Sequence, residues 1–378
     1  MSNRPTDHAN IDLTQLSLDV PFRRSGGKII WEPRIEAWFS DRLPPRNYFP
    51  MPERYQGLSH PDLYRALGCA QRVYDFCWSI QNVEDPRVRF EKNELSPTEY
   101  EMTIHTPVGQ QYARYRVSPN NWWHEPIKWP VESPEEMRVA AWRERHRDWE
   151  WRPEVYAQIC ENWKGRGAVN FCMPRVTTAK LYLEEMGIEN AIYALMDWPA
   201  VCEEFFEALD ESQSRLIDVI NASPILRVNF GDNLHSGTTS PEIFAKHILP
   251  VYQRRCEKLH KAGKFTFAHW DGNCKGLLEY ARETGLDGIE AITPRPQGDV
   301  TLEETKDALG DMVLLDGIPA IYFDTHFSER TLIDCAKKVI DLFAPNLCLG
   351  ISDEMSATGD IERIRLVTQV VDEYNAGK

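Results

Sequence analysis

From Gly165 onward the chain repeats one rhythm, a short apolar run followed by a longer amphipathic stretch, and that rhythm restricts the folds open to it. The runs are AVNFCMP (168–174), AIYALMD (191–197), LRVNFGD (226–232), FTFAHWDGN (265–273), GIEAITP (288–294), MVLLDGI (312–318) and LCLGISD (347–353). Between them lie stretches of helical periodicity, such as PAVCEEFFEALDESQSRLIDVI (199–220) and SPEIFAKHILPVYQRRCEKLHKAG (240–263). Near-continuous apolar strands belong in a parallel sheet covered on both faces. With KIIWEP (28–33) as a first strand the count reaches eight. Eight βα units favour an α/β fold of the closed (β/α)8 type, a TIM barrel, over an open doubly wound sheet. No G-x-G-x-x-G or G-x-x-x-x-G-K-[ST] follows any run, which disfavours a dinucleotide fold and a P-loop.

The first 165 residues read differently and are expected to form an N-terminal α/β extension: the first barrel strand, helices and a β-hairpin. Residues 166–378 are then the main barrel portion, and Gly165-Arg166-Gly167 is a turn leading into it. EMTIHTPVGQQYARYRV (101–117) predicts two strands joined at Pro-Val-Gly. The charged, periodic span from Ser133 to Trp163 predicts a helix, with Ser133 as N-cap and Pro134 at the first helical position. Trp122, Trp123, Trp129, Trp142, Trp149, Trp151 and Trp163 crowd into this region. Packing is the plain expectation for them, and a lid over a substrate the alternative.

Composition narrows the partners. Hydrophobic residues make up 42% and charged residues 27% of the 378, ordinary for a globular protein with a sizeable core. A net charge of −15 repels phosphates, so nucleic acid and anionic membrane are not expected partners. An acidic surface suits a protein partner, and a homo-oligomer is equally compatible with it. The nine cysteines stand singly, with no C-x-x-C pair, and read as buried, reduced thiols. MSNRPTDHANID carries no apolar signal core, and no apolar run approaches the roughly 20 residues of a membrane span. A cytoplasmic location is expected.

In a barrel, polar residues at the C-terminal ends of the strands converge on one mouth. Strand five would deliver His269, Asp271 and Asn273, strand six Glu290, and strand eight Asp353 with Glu354. Asp232, Asn233 and His235 follow strand four, and Asp324 and His326 follow strand seven. Each alone reads as a cap or a surface group, but carboxylates and imidazoles at five successive strand ends point to a site.

FAHWDGNCKGLLEYARETGLDGIEAITPRPQGDVTLEETKDALGDMVLLDGIPA, LCLGISDEM and VNFGDNLHSGTTSPEIFAKHILPVYQRRCEKLHKAGK together resemble the uroporphyrinogen decarboxylase superfamily. The resemblance covers residues 165–378, with SPEEMRVAAW and HTPVGQQY similar to its pre-barrel segment. It implies a barrel with either of two chemistries: cofactor-free decarboxylation of porphyrinogens, or methyl transfer involving a corrinoid carried by another protein. The decarboxylase branch has an arginine-rich R-Q-A-G-R-Y-like loop after the first strand, where this chain reads IIWEPRIEAWFSDRLPPRNYFP. It also has a histidine after the last strand, where this chain has ISDEMSA. Thiol-methylating members hold zinc through an H-x-C at strand five and a cysteine after strand eight. His269 is kept here, while Asp271 and Asp353 stand where those cysteines would be.

That substitution shifts the expectation toward oxygen chemistry. The resemblance extends to O-demethylating methyltransferases acting on phenyl methyl ethers, some of which bind zinc through Glu, Glu and His. Glu290, Glu304 and His326 could supply that metal set; His269, Asp271 and Asp353 form a rival set. Oxygen and imidazole ligands leave zinc a strong Lewis acid, able to polarise an ether oxygen. Asp324-Thr325-His326 is similar to the D-x-H-x-x-G of corrinoid proteins, but Glu329 replaces the glycine, so any corrinoid must come on a separate protein. The expected function is cleavage of a methyl ether in a small methoxylated, aromatic substrate, with the methyl passed to the Co(I) corrinoid of that partner. His269 and Asp271 are the catalytic candidates, and Asn273, Asp232 and Asp353 the substrate-binding ones. The alternatives are a cofactor-free decarboxylase or lyase and a non-catalytic binding barrel.

Overall fold

The structure, a computed structural model, describes residues 12–118 and 123–378, so Trp122 and most of the polar N-terminal stretch lie outside the described residues. Eight strands form the barrel: β1 (Ile30–Trp31), β2 (Val73–Asp75), β3 (Val169–Met173), β4 (Arg227–Leu234), β5 (Phe265–Gly272), β6 (Gly288–Ile292), β7 (Val313–Pro319) and β8 (Leu347–Ser352). Neighbours from β2 to β8 pair in parallel, β8 pairs onto β1, and the Ala70 N–H closes the ring on the Trp31 carbonyl at 2.9 Å. The α/β barrel is therefore present, with an N-terminal extension around it.

The eight strands are not the eight expected. AIYALMD is not a strand but the body of a helix, Ile188–Asp197, whose Ala191 and Ala194 are buried. Ala, Leu and Met are good helix formers, and a seven-residue apolar run alone cannot separate a strand from a half-buried helix. The missing strand is β2, three residues long, inside the extension. Residues 1–165 thus contribute two barrel strands, and the barrel runs across the Gly165 turn.

The hairpin forms as Glu99–Thr106 and Gly109–Val117 and belongs to a four-stranded antiparallel sheet with Arg89–Ser96 and His124–Lys128. Ser133 does cap a helix, its hydroxyl accepting from the Glu136 N–H, but that helix ends at His146. A short strand, Asp148–Trp151, interrupts the span before a second helix, Pro153–Asn162. The break falls where Trp149 turns inward, its indole N–H donating 3.0 Å to the Ser212 carbonyl. Trp163 packs edge-on against His60 and Tyr64, and Trp142 stacks on His146. Trp123 is exposed, the other described tryptophans of this region pack locally, and none of them lines the central cavity. All nine cysteines are free thiols. No helix among the described residues is long and apolar enough to cross a membrane.

Candidate functional site

The apolar strands carry charged residues into the barrel interior, and burial forces those residues to find one another. Arg72, just before β2, is fully buried. It donates from Nε to Glu32 at 3.1 Å and from Nη1 to Glu290 at 3.1 Å, and lies 2.8 Å from Asp316. Arg227 at the start of β4 grips both oxygens of Glu32, at 3.1 and 3.3 Å. Burial opposes ionisation of Glu32, but Arg227 and Arg72 outweigh it and hold the carboxyl below its ordinary range. Burial pushes the Asp316 carboxyl up to about 6 against the pull of Arg72, with the charge of Glu290 adding to the rise. Asp316 fits only because Gly350 on the neighbouring β8 has no side chain; a Cβ there would run into its carboxylate.

This charged layer is the floor of the mouth. The β5–β6 register places His269 beside Glu290, and the imidazole Nδ1 lies 2.9 Å from Glu290 Oε1. Asn229 of β4 donates to the same oxygen, while the Tyr74 hydroxyl of β2 donates to Oε2 at 2.8 Å. Burial opposes its charge, yet the hydrogen bond from His269, with Arg72 and Arg34, holds Glu290 far below the usual carboxylate range. A permanent anion on Nδ1 fixes that nitrogen as the N–H, so Nε2 is the working nitrogen. It lies 3.9 Å from Asp353, and His269 as a whole is only 7% exposed.

A cavity of about 340 Å3 opens above this floor. Its wall from β1 to β3 is formed by Arg34, Tyr74, Phe76, Cys77, Cys172 and Arg175, and the opposite wall carries His269, Asp271, Glu290 and Asp353. Tyr74 and Phe76 stack with ring centroids 5.6 Å apart, and Arg34 lies 5.3 Å over the Tyr74 ring. Arg34 pairs with Asp353 at 3.0 Å and approaches Glu354 at 3.5 Å. Burial pushes the Cys77 thiol up to about 12, and Cys172 rises for the same reason, so neither is a ready thiolate. A smaller chamber of about 170 Å3 adjoins, sharing Asn233 and Asp271. Backbone strain gathers here too: Cys77, Thr177, Asn233, Ala291, Asp316 and Asp353 all have positive φ, and each lies in or just beyond a barrel strand. Such strain clusters at functional sites.

His269, Asp271, Glu290 and Asp353 are thus brought together, with Asn233 on the same cavity, while Asp232, Asn273, Glu304 and His326 are not. Asp232 is buried and committed, accepting 2.6 Å from the Tyr252 hydroxyl and 2.8 Å from the Val176 N–H. It holds the β4 end in place rather than facing the main cavity. Asn273 is exposed, and it is its backbone carbonyl that is used, by Ser236. Glu304 closes a capping box with Thr301 and pairs with Lys275 on the surface. His326 is exposed in the loop after β7.

Glu290, Glu304 and His326 therefore cannot share a metal. Among the described residues no group of three or more His, Cys, Asp or Glu side chains is arranged to hold one. The donors of Glu290 confirm the misfit, since Arg72, Tyr74, Asn229 and His269 already occupy both of its oxygens. The rival set is not among such groups either, and its Asp353 is engaged by Arg34 at 3.0 Å. Arg34, Arg72, Tyr74, Phe76, Arg175 and Asn229 were not among the sequence candidates. A signal for part of this was present: Glu32, Arg227, Glu290 and Asp316 are each a lone charge inside an apolar run.

No protein-family model matches the chain, and no curated protein sequence does. Solved structures do. A methyltransferase from Methanosarcina mazei aligns with a TM-score of 0.57 at 10% identity, over 96% of this chain and 99% of that one. A B12-independent methionine synthase from Shewanella sp. W3-18-1 aligns at 0.40 and 10% identity, over 84% and 86% of the two chains. A GH18 chitinase from Flavobacterium johnsoniae gives 0.36 and 8%, over 58% and 80%. At this identity the first likeness shows the fold, and the other two are too loose to argue from.

Proposed function

We propose that the chain is a methyltransferase that removes the methyl group of a small aromatic methyl ether. The observation that carries this reading is the His269–Glu290 pair, with Nδ1 locked on a buried anion and Nε2 turned to a cavity walled by stacked aromatic rings. Breaking a methyl–oxygen bond leaves the electron pair on oxygen as a phenolate. An imidazolium at Nε2 can hand its proton to that oxygen as the bond breaks, giving the phenol. Glu290 stabilises the charged ring and keeps its tautomer, in the manner of a carboxylate behind a catalytic histidine. Proton donation by His269 thus takes the part that sequence reading gave to zinc, whose expected ligands lie apart.

The cavity is at the low end of the range of about 300–1,000 Å3 for small-molecule sites. It matches one substituted ring, and a porphyrinogen or corrin ring is too large for it, which counts against the decarboxylase alternative. The methyl acceptor must therefore approach over the open mouth. The resemblance in sequence suggests the corrinoid of a separate protein, whose contribution would be a strongly nucleophilic Co(I). Tyr74 and Phe76 would hold the ring, with His269 and Asp271 facing the ether oxygen.

The test is turnover of a panel of methoxyarenes, with and without a reduced corrinoid protein, read as release of the phenol. Release that requires the corrinoid protein and falls on His269→Gln supports the proposal. Carbon dioxide release by the chain alone would mean a lyase, and binding without turnover under any condition would mean a binding barrel.

A further inference from the structure

The helix Ile188–Asp197 carries apolar residues on two sides, which is why its sequence resembles a strand. Ala191 and Ala194 are buried against the protein, with Leu195 packed beside them. The other side holds Glu189, Ile192, Tyr193 and Met196, spaced i, i+3, i+4 and i+7 and therefore on one face. All four are exposed, Tyr193 by 57% and Met196 by 72%. Ile188 at the start of the helix and Leu183 just before it are exposed too and extend the apolar surface. Both also line the smaller chamber, which shares Asn233 and Asp271 with the main cavity, so this surface reaches the rim of the mouth. A helix apolar on both sides belongs under cover, and a contiguous exposed apolar patch marks a docking face.

Charge decides what can cover it. Glu189 sits within the apolar stripe and Asp197 at the end of the helix, and neither carboxylate has a side-chain partner among the described residues. A purely apolar cover would bury the Glu189 charge unpaired, which is strongly unfavourable. A second copy of this chain would bring the same acidic stripe against it, on a protein of net charge −15. An anionic membrane is repelled for the same reason. The surface that fits offers an apolar patch and a cation together.

We infer that this face docks a partner protein through a basic amphipathic helix, whose apolar residues cover Ile192, Tyr193 and Met196 and whose lysine or arginine pairs with Glu189. A groove of about 440 Å3, lined by Tyr193, Asp197, Trp198 and Glu132 among others, adjoins the face and gives such a helix a place to lie. The partner then sits at the rim of the mouth. The inference holds whether or not the chain transfers methyl groups.

The probe is an amphipathic helical peptide of leucine and lysine, with a leucine–glutamate peptide of the same pattern as its control. Binding to the full chain is measured by calorimetry, and the oligomeric state of the chain by sedimentation velocity. Wild type should bind the leucine–lysine peptide roughly tenfold more tightly than the control or better. Ile192→Ser and Met196→Ser should each weaken that binding roughly tenfold by removing apolar contact. Glu189→Gln should weaken it roughly fivefold and flatten its dependence on salt. All three positions are exposed, so melting temperatures should stay near wild type. No binding by wild type, or equal binding by wild type and all three variants, overturns the inference, the second because it would show a general attraction to an acidic surface. A wild-type dimer that Met196→Ser dissociates also overturns it, since the face would then serve a second copy.

Discussion

The two halves of the barrel mouth are built on opposite plans. The half from β5 to β8 presents an imidazole and carboxylates on strands of five to eight residues fixed by register, as with His269 beside Glu290. The half from β1 to β3 presents arginines and aromatic rings on strands of two, three and five residues. Arg72 joins them, touching Glu32 on one side and Glu290 and Asp316 on the other. The contrast teaches a division of labour: on the proposed reading one half moves a proton and the other holds the ring, while Arg72 supplies the cation that holds the floor together.

The most forceful way to break this contrast is to remove the joint. Arg72→Met leaves Glu290 and Asp316 buried beside each other without their shared counter-ion. Stripping one partner from a buried ionic cluster costs about 3–5 kcal/mol, so denaturant unfolding should show a loss of that order. A stability within about 1 kcal/mol of wild type would show that the floor does not depend on Arg72. His269→Gln should do the opposite, lowering kcat roughly a hundredfold or more while leaving the denaturation midpoint and KM near wild type. If KM rose and kcat held, His269 would belong to the binding half instead.

A smaller effect sharpens the aromatic wall. Phe76 is 60% exposed, so Phe76→Ala should not disturb folding. It should raise KM roughly fivefold through loss of about 1 kcal/mol of ring stacking, with kcat kept. Equal loss in kcat would place Phe76 nearer the chemistry than the wall assignment allows.

The smallest effect is a pH dependence at the edge of the β1 half. Burial, with Glu354 beside it, pushes the Glu36 carboxyl up to about 7, and one of its oxygens is buried without a partner. A carboxyl raised on folding keeps a proton that the unfolded chain gives up, so between about pH 4 and 7 its contribution to stability falls as pH rises. Glu36→Gln should therefore flatten the decline in melting temperature between pH 5 and pH 8, being most stabilising, relative to wild type, at the alkaline end. Parallel pH profiles for the two proteins would show that Glu36 ionises normally. Glu290 has the opposite sign: its contribution is present at neutral pH and is lost progressively as pH falls below the ordinary carboxyl range of about 4.

Legibility in the sequence followed the same divide. The β5 to β8 strands were readable because each is a run of apolar residues long enough to stand out, and His269, Asp271, Glu290 and Asp353 were found at their ends. β2 was not readable, since RVYDF shows no apolar run and a three-residue strand leaves no periodicity to detect. With it went Arg72, Tyr74 and Phe76. The Ile188–Asp197 helix filled the vacant place in the count, so the expected total of eight was met for the wrong reason.

What the sequence by itself determined is the barrel, because alternating apolar runs and amphipathic stretches can bury their surfaces in few other ways, and with it the strand-end acids and His269. The tertiary structure decided the chemistry available to them. Whether a carboxylate can bind a metal, take a proton or only hold a neighbour depends on the donors that surround it in a low-dielectric interior. Glu290 is surrounded by four, from Arg72, Tyr74, Asn229 and His269, which lie far apart along the chain. Glu304, no less acidic by composition, serves only to cap a helix and pair with a surface lysine.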